Sequence, residues 1–377
     1  MQALSTLLAF LVALGILVSF HEFGHYFAAR CCGVKVLRFA LGFGKPLFIF
    51  HDRHQTEWVI ALLPLGGYVK LLNGRDAEQT ISIADQASDF ERKPLWQRSL
   101  IVAAGPLANF VLALLLLSVI YVSGVPQLPA QLQTPPAVSL AAKAGLSAGD
   151  RVIGWRSLGN EENVDDPANA FTSVVSWNAL RWYLLDSITA HTGFALQIEN
   201  ARGGKSTVRF LSEQLPEVKP KTDVFRELGL FPLVANSPQW FELQLAPLPA
   251  MAYAAERVWL ITKVSSRMML GLVTGSTSLA QIGGPLSIAD MAGKSAQVGW
   301  QPYLAFLALL SISIGLLNLI PIPMLDGGQL LYDAWELLSG RRLPEALQAV
   351  LQKSSFILLT FLMLLALFND FQRYLSP

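Results

Sequence analysis

Charge is what this sequence has least of. Only 15% of its 377 residues are charged, against about 25% in an ordinary soluble domain, and 53% are apolar. That balance points to a membrane protein before any motif is read. The net charge of +1 and the lack of a basic run with interleaved aromatics give no reason to expect nucleic acid. Cysteine is nearly absent: Cys31 and Cys32 are adjacent, so they neither staple a domain nor form a Cys-x-x-Cys metal knuckle. Any soluble part of the chain has to fold on its own apolar core. No basic residue precedes the first apolar run and no small-residue cleavage site follows it, which favours a retained helix over a signal peptide.

What is present begins with four apolar runs, at about 4–27, 100–122, 302–320 and 356–375, each read as crossing a hydrocarbon core of about 30 Å. The third run stops at Pro321 and Pro323, where regular helix hydrogen bonding ends. Arg30, Lys35 and Arg38 follow the first run, Arg92, Lys93 and Arg98 precede the second, and Arg341, Arg342 and Lys353 separate the third from the fourth. Basic residues near span ends mark the cytoplasmic side. Both termini and the long segment between the second and third spans are then expected to face outward.

Between the first two spans, residues 37–72 hold Gly42-Phe43-Gly44 and several short strand-like runs separated by Gly, Pro and polar turns. None is long enough to span as a helix, so a β-hairpin dipping into the membrane is expected; such backbone survives there only under protein or beside a wet cavity. The outward segment reads as a small β-rich module. Ala144 to Ile153 is a turn feeding a strand, with further strands at Ala195 to Glu199, Thr207 to Leu211 and Leu228 to Val234, and a helix over Ser176 to Asp186. From Pro249 to Thr274 the pattern is helical, with Arg257, Lys263 and Arg267 interrupting the apolar residues. This reads as an amphipathic helix on the outer membrane surface rather than a fifth span. The expected divisions are an N-terminal membrane core 1–126, the module 127–238, the surface-helix region 239–298 and a C-terminal membrane core 299–377.

The chemistry starts at His21-Glu22-Phe23-Gly24-His25. Residues four apart on a helix share a face, so both imidazoles can bind one metal, with Glu22 beside them as general base. The plain alternative is a polar helix end near the interface. Ionisable groups in an apolar run need a partner or a wet site, however, and a metal supplies one. Catalytic zinc usually has three protein ligands plus water. The other histidines, His51, His54 and His191, fall in loops or in the module. The best other donor is Asp326, after the broken third span; its alternative is a simple Asp-Gly turn.

His21-Glu22-x-x-His25 in a first span, Gly105-x-x-x-Asn109 in a second, and Asn318-x-x-Pro321-x-Pro323-x-Leu325-Asp326-Gly327 in a third together resemble the site-2 protease family of intramembrane zinc metalloproteases, over nearly the whole chain. The resemblance is closest to the bacterial regulator-of-sigma-E type. Gln281 to Ala289 and Leu367-Phe368-Asn369-Asp370 also look like that subgroup. The resemblance implies a polytopic α-helical membrane protein with about four transmembrane helices, a re-entrant β-hairpin and one extracytoplasmic PDZ-like domain. It implies one Zn2+ held by His21, His25 and Asp326, with Glu22 as general base and acid. Asn318, Asn109 and the Gly42-Phe43-Gly44 segment would contact substrate, the hairpin by strand addition. The implied setting is the bacterial inner membrane and its stress response, with membrane lipid around the spans and the active site toward the cytoplasm. Substrates would be transmembrane proteins, such as an anti-sigma factor already trimmed outside, or remnant signal peptides. The best-known members carry two tandem PDZ domains, and this chain has room for one. Ala144-Gly145-Leu146 is a weak match to a peptide-carboxylate loop, so a size filter is expected rather than a peptide binder. A silent scaffold would not need an intact Glu22, and a zinc transporter would need polar ligands along several spans rather than one cluster.

Overall fold

A computed structural model describes residues 2–74, 83–158, 170–200, 202–216, 224–233, 240–275 and 283–375. In chain order its principal elements are α1 (Gln2–Cys31), β1 (Val36–His51), β2 (Glu57–Leu71), α2 (Leu95–Ser123), β3 (Val125–Gln127), α3 (Leu140–Lys143), β4 (Arg151–Leu158), β5 (Thr172–Ser173), α4 (Trp177–Thr189), β6 (Gly193–Glu199), β7 (Lys205–Phe210), α5 (Val224–Leu228), β8 (Phe241–Leu243), α6 (Pro247–Thr274), α7 (Pro285–Val298), α8 (Trp300–Asn318), α9 (Asp326–Ser339) and α10 (Glu345–Leu375). Among the described residues four helices are long and apolar enough to cross a membrane: α1, α2, α8 and α10. They cover the four apolar runs expected to span. The last helix begins at Glu345, well before the apolar run itself, because a polar first turn can precede the bilayer without breaking the helix. α6 is not among the four.

The chain forms two compact units, residues 1–117 with 283–377, and residues 118–282. In the first, Ala13 and Leu17 of α1 pack with Leu112 of α2, Ala292 of α7, and Phe306 and Leu307 of α8. Small residues set how closely these helices approach, as is usual where lipid supplies no hydrophobic drive between helices. A Cβ on Gly24 would fall 2.2 Å from the Ala104 carbonyl, and one on Gly293 would fall 2.3 Å from Thr6 Oγ1. The N-terminus of α7 is capped from another helix. Asp370 of α10, wholly buried, accepts from the backbone N–H groups of Gly284, Leu286 and Ser287 and from the Ser287 hydroxyl.

β1 and β2 form the hairpin expected over 37–72, but their register is not one simple ladder. Val36–Leu41 pairs with Gly67–Leu71, Arg38–Leu41 pairs again with Glu57–Ile60, and Pro46–His51 pairs with Glu57–Ala61. Both strands therefore fold back on themselves. The bends fall at Gly42, Gly44 and Gly66, whose φ values of 90°, 90° and 124° belong to the region that favours glycine. The inner run is buried at Val36, Phe39 and Ala40, whereas Leu47, Phe48, Ile49, Phe50, Leu62 and Leu63 are apolar and exposed.

In the second unit, β5-β4-β6-β7 form a four-stranded sheet. α4, capped by Ser176, buries Leu180, Tyr183, Leu184 and Ile188 in the same core as Phe194, Leu196 and Ile198 of β6. The expected helix and the strands beginning near Ala195 and Thr207 are present. The expected strand Leu228 to Val234 is not formed. Its start is the end of α5, and only an isolated bridge, Pro232 to Leu132, follows. Gly229 takes φ 75°, which stops extended pairing, and Pro232 has no N–H to give a ladder; Val234 lies outside the described residues. Leu260 and Val264 of α6 belong to this core, and Lys263 and Arg267 ion-pair with the buried Asp186 of α4. Tyr183 donates to Glu256 and accepts from Arg257. Burial, against the pull of Arg257, pushes its hydroxyl pKa well up, and the Glu256 hydrogen bond adds to this.

Candidate metal centre

His21 and His25 lie one turn apart on α1, rings 4.9 Å centre to centre and nearly perpendicular. Their Nε2 atoms are 3.3 Å apart. Asp326 is the first residue of α9, where the helix dipole favours a carboxylate. Its Oδ2 stands 3.3 Å from Nε2 of His21 and 3.5 Å from Nε2 of His25, yet it has no hydrogen bond of acceptable geometry. Among the described residues this is the one group of three or more His, Cys, Asp or Glu side chains able to hold a metal ion. Lone pairs brought together this closely in a part-buried site repel unless a cation sits among them, and two imidazoles with one carboxylate form a donor set suited to zinc.

The surroundings aim these atoms. His25 Nδ1 lies 2.9 Å from the Ile101 carbonyl of α2. A carbonyl can only accept, so the ring proton sits on Nδ1 and Nε2 presents its lone pair to the cluster. Pro106 opens the α2 ladder one turn further on. Gly105 makes the room: a Cβ there would lie 2.2 Å from His25 Nε2. Asp326 is reached through a tight turn. Ile320 and Ile322 carbonyls accept from Ile322 and Leu325 N–H groups at 2.7 and 2.8 Å, and Cβ atoms on Gly327 and Gly328 would each come within 2.3 Å of those same carbonyls. The Asp-Gly turn and the carboxylate that faces the two histidines are thus the same feature.

Glu22 faces the hairpin. A Cβ on Gly67 would meet Glu22 Cγ at 3.1 Å and Val18 Cγ1 at 3.0 Å, so β2 runs directly against the α1 turn that carries the motif. Phe43 stands over the adjacent Gly66. Gly42, Phe43 and Gly44 line a cleft with Arg38, Glu57 and Tyr68, and connect to Glu22 by way of Gly66 and Gly67. Asn318 ends α8, half-buried. Asn109, expected beside substrate, is wholly buried and places its amide 3.3 Å from Nδ1 of His21. Of the residues around the cluster, Gly24 and Gly67 were not singled out from the sequence. Their only signal was their smallness, which says nothing until the neighbouring backbone is known.

Comparison with known proteins decides the family. A sequence profile of peptidase family M50 matches residues 9–362. The chain belongs to peptidase family M50. This M50 peptidase is 33% identical to a Ralstonia nicotianae protein named as a zinc metalloprotease, over 98% of each chain. It is 32% identical to the regulator of sigma E protease of Salmonella typhi, over 99% of this chain and all of the relative. It is 33% identical to the regulator of sigma-E protease RseP of Escherichia coli, over 97% and 98% respectively. The Salmonella alignment runs over 452 residues against a chain of 377, so part of that relative has no counterpart here.

Proposed function

We propose that this membrane zinc metalloprotease hydrolyses a peptide bond inside the transmembrane segment of a single-pass membrane protein. The observation that carries this is the convergence of His21, His25 and Asp326 on one point, with Glu22 beside them on a helix apolar enough to cross a membrane. His21, His25 and Asp326 would hold the zinc. When bound, zinc polarises the scissile carbonyl and makes water a nucleophile near neutral pH. Glu22 takes the proton from the attacking water and returns it to the leaving amine. Asn318, at the end of α8, would hold the substrate backbone.

A helix hides its carbonyls in its own hydrogen bonds, so the substrate has to unwind. The hairpin offers a strand to an unwound stretch by edge addition. Its exposed Leu47 to Phe50 support a re-entrant position, since such an apolar surface is at home in lipid. The basic residues near the span ends support a site on the cytoplasmic side of the membrane, with the termini and the module outside, and the bacterial relatives support an inner membrane as the setting. The module reads as a single PDZ-like domain acting as a size filter, and the unmatched part of the longer relatives supports a single copy. Relatives named as regulators of sigma E make an anti-sigma factor trimmed on its outer side the first substrate to try, with remnant signal peptides next.

The test is a reconstituted cleavage assay on a transmembrane substrate, with the cut located by mass spectrometry. Glu22→Gln should abolish cleavage and keep its zinc; a Glu22→Gln protein that still cuts sinks the assigned role. Grafting a bulky folded domain onto the outer end of the substrate should stop cleavage by wild type, and unchanged cleavage ends the filter reading.

A further inference from the structure

Asn109 stands where a hydrogen-bond acceptor is needed. The two metal-facing imidazoles must each present an Nε2 lone pair, so each must carry its proton on Nδ1. For His25 the Ile101 carbonyl receives that proton at 2.9 Å. For His21 the group facing Nδ1 is the Asn109 amide, with Nδ2 placed at 3.3 Å and Oδ1 buried without a partner. In that orientation the amide donates to Nδ1. The ring proton is then forced onto Nε2, toward an Asp326 oxygen with which it makes no hydrogen bond of acceptable geometry. A half-turn of the amide exchanges the two atoms without changing its shape. Oδ1 then accepts from Nδ1–H, and the His21 lone pair joins those of His25 and Asp326.

We infer that Asn109 is a positioning residue that fixes the tautomer of His21 by accepting a hydrogen bond from its Nδ1–H. This rests on the zinc-ligand reading above. The amide is held for the purpose. Asn109 is wholly buried, Ser311 of α8 donates to its backbone carbonyl at 2.8 Å, and Gly315 of α8 leaves only 3.3 Å between a Cβ of its own and the Asn109 Cβ. Outer acceptors of this kind govern metal affinity by about 10–100-fold.

The experiment measures zinc affinity of the full-length protein by competition with a chromogenic chelator, in the Glu22→Gln background so that turnover plays no part. The visible spectrum of the cobalt-substituted protein is recorded alongside. Asn109→Asp keeps an acceptor and should bind zinc within a few-fold of the parent. Asn109→Leu keeps the volume but not the acceptor, and should lose about 10–100-fold with a changed cobalt spectrum. A packing role predicts the opposite order, because a buried leucine is tolerated where a carboxylate is not. Parental zinc affinity in Asn109→Leu, or zinc loss in Asn109→Asp, overturns the inference. His21→Ala separates the two readings: if it binds zinc as the parent does, the ligand set itself is wrong, whatever Asn109 does.

Discussion

A methyl group at position 105 would stand 2.2 Å from His25 Nε2, and α2 holds that ring from behind through the Ile101 carbonyl. The imidazole cannot stay where it is in Gly105→Ala. Zinc affinity should fall at least about tenfold, the size of effect seen when ligand orientation is disturbed. Gly15→Ala, on the same α1 helix with nothing within 4 Å of the new Cβ, is the control and should bind zinc normally. At this scale the sequence showed which residues carry chemistry but not which way they face. His21, Glu22 and His25 were readable because three chemical groups and their spacing sit in one short stretch. Asp326 was readable as the best remaining donor, a carboxylate just after the broken third span, and the structure brings it to the two histidines. The facing of Asn109 depends on which side of α2 meets α1, and apolar periodicity is silent on that when a helix is hydrophobic all round.

The hairpin and the α7 cap can each be broken separately. Gly42 has φ 90° and its Cβ would fall 2.6 Å from the Leu63 carbonyl. Gly42→Ala should strain the bend by about 1–2 kcal/mol. It should lose cleavage while keeping zinc, the reverse of Gly105→Ala; loss of zinc there would show that the bend also shapes the metal site. Removing the carboxylate in Asp370→Ala leaves the first N–H groups of α7 uncapped. Thermal unfolding in detergent should show a loss of about 0.5–2 kcal/mol. The elements themselves were largely legible from pattern: the four long apolar helices, the hairpin, α4 and its neighbouring strands. What was missed is instructive. The double pairing of Arg38–Leu41 follows from glycine conformations that a residue name only permits, and the strand expected from Leu228 is reduced to the isolated bridge at Pro232 because Gly229 and Pro232 act on the backbone rather than on hydrophobicity.

For the molecule as a whole, two units imply two separable stabilities. Val264 is wholly buried in the core of the second unit, so Val264→Asp should destroy that core. The zinc content of the first unit should survive, which metal analysis of the purified protein checks. The first unit has its own pH dependence. Glu336 of α9 is pushed up by burial, but the hydrogen bond and charge of Arg98 and the charge of Arg342 hold its carboxyl below the usual range. A carboxylate with a lowered folded-state pKa contributes stability above its ordinary pKa and loses it as pH falls through the folded value. Acidification should therefore weaken wild type more steeply than Glu336→Gln, as read by thermal unfolding across a pH series.

Asp326 has one more consequence. It lies near the far end of the chain from His21 and His25. A ribosome building this protein in the membrane makes two of the three proposed ligands at the start and the third only near the finish. The growing polypeptide would therefore lack a complete set of the proposed zinc ligands until Asp326 has been synthesised.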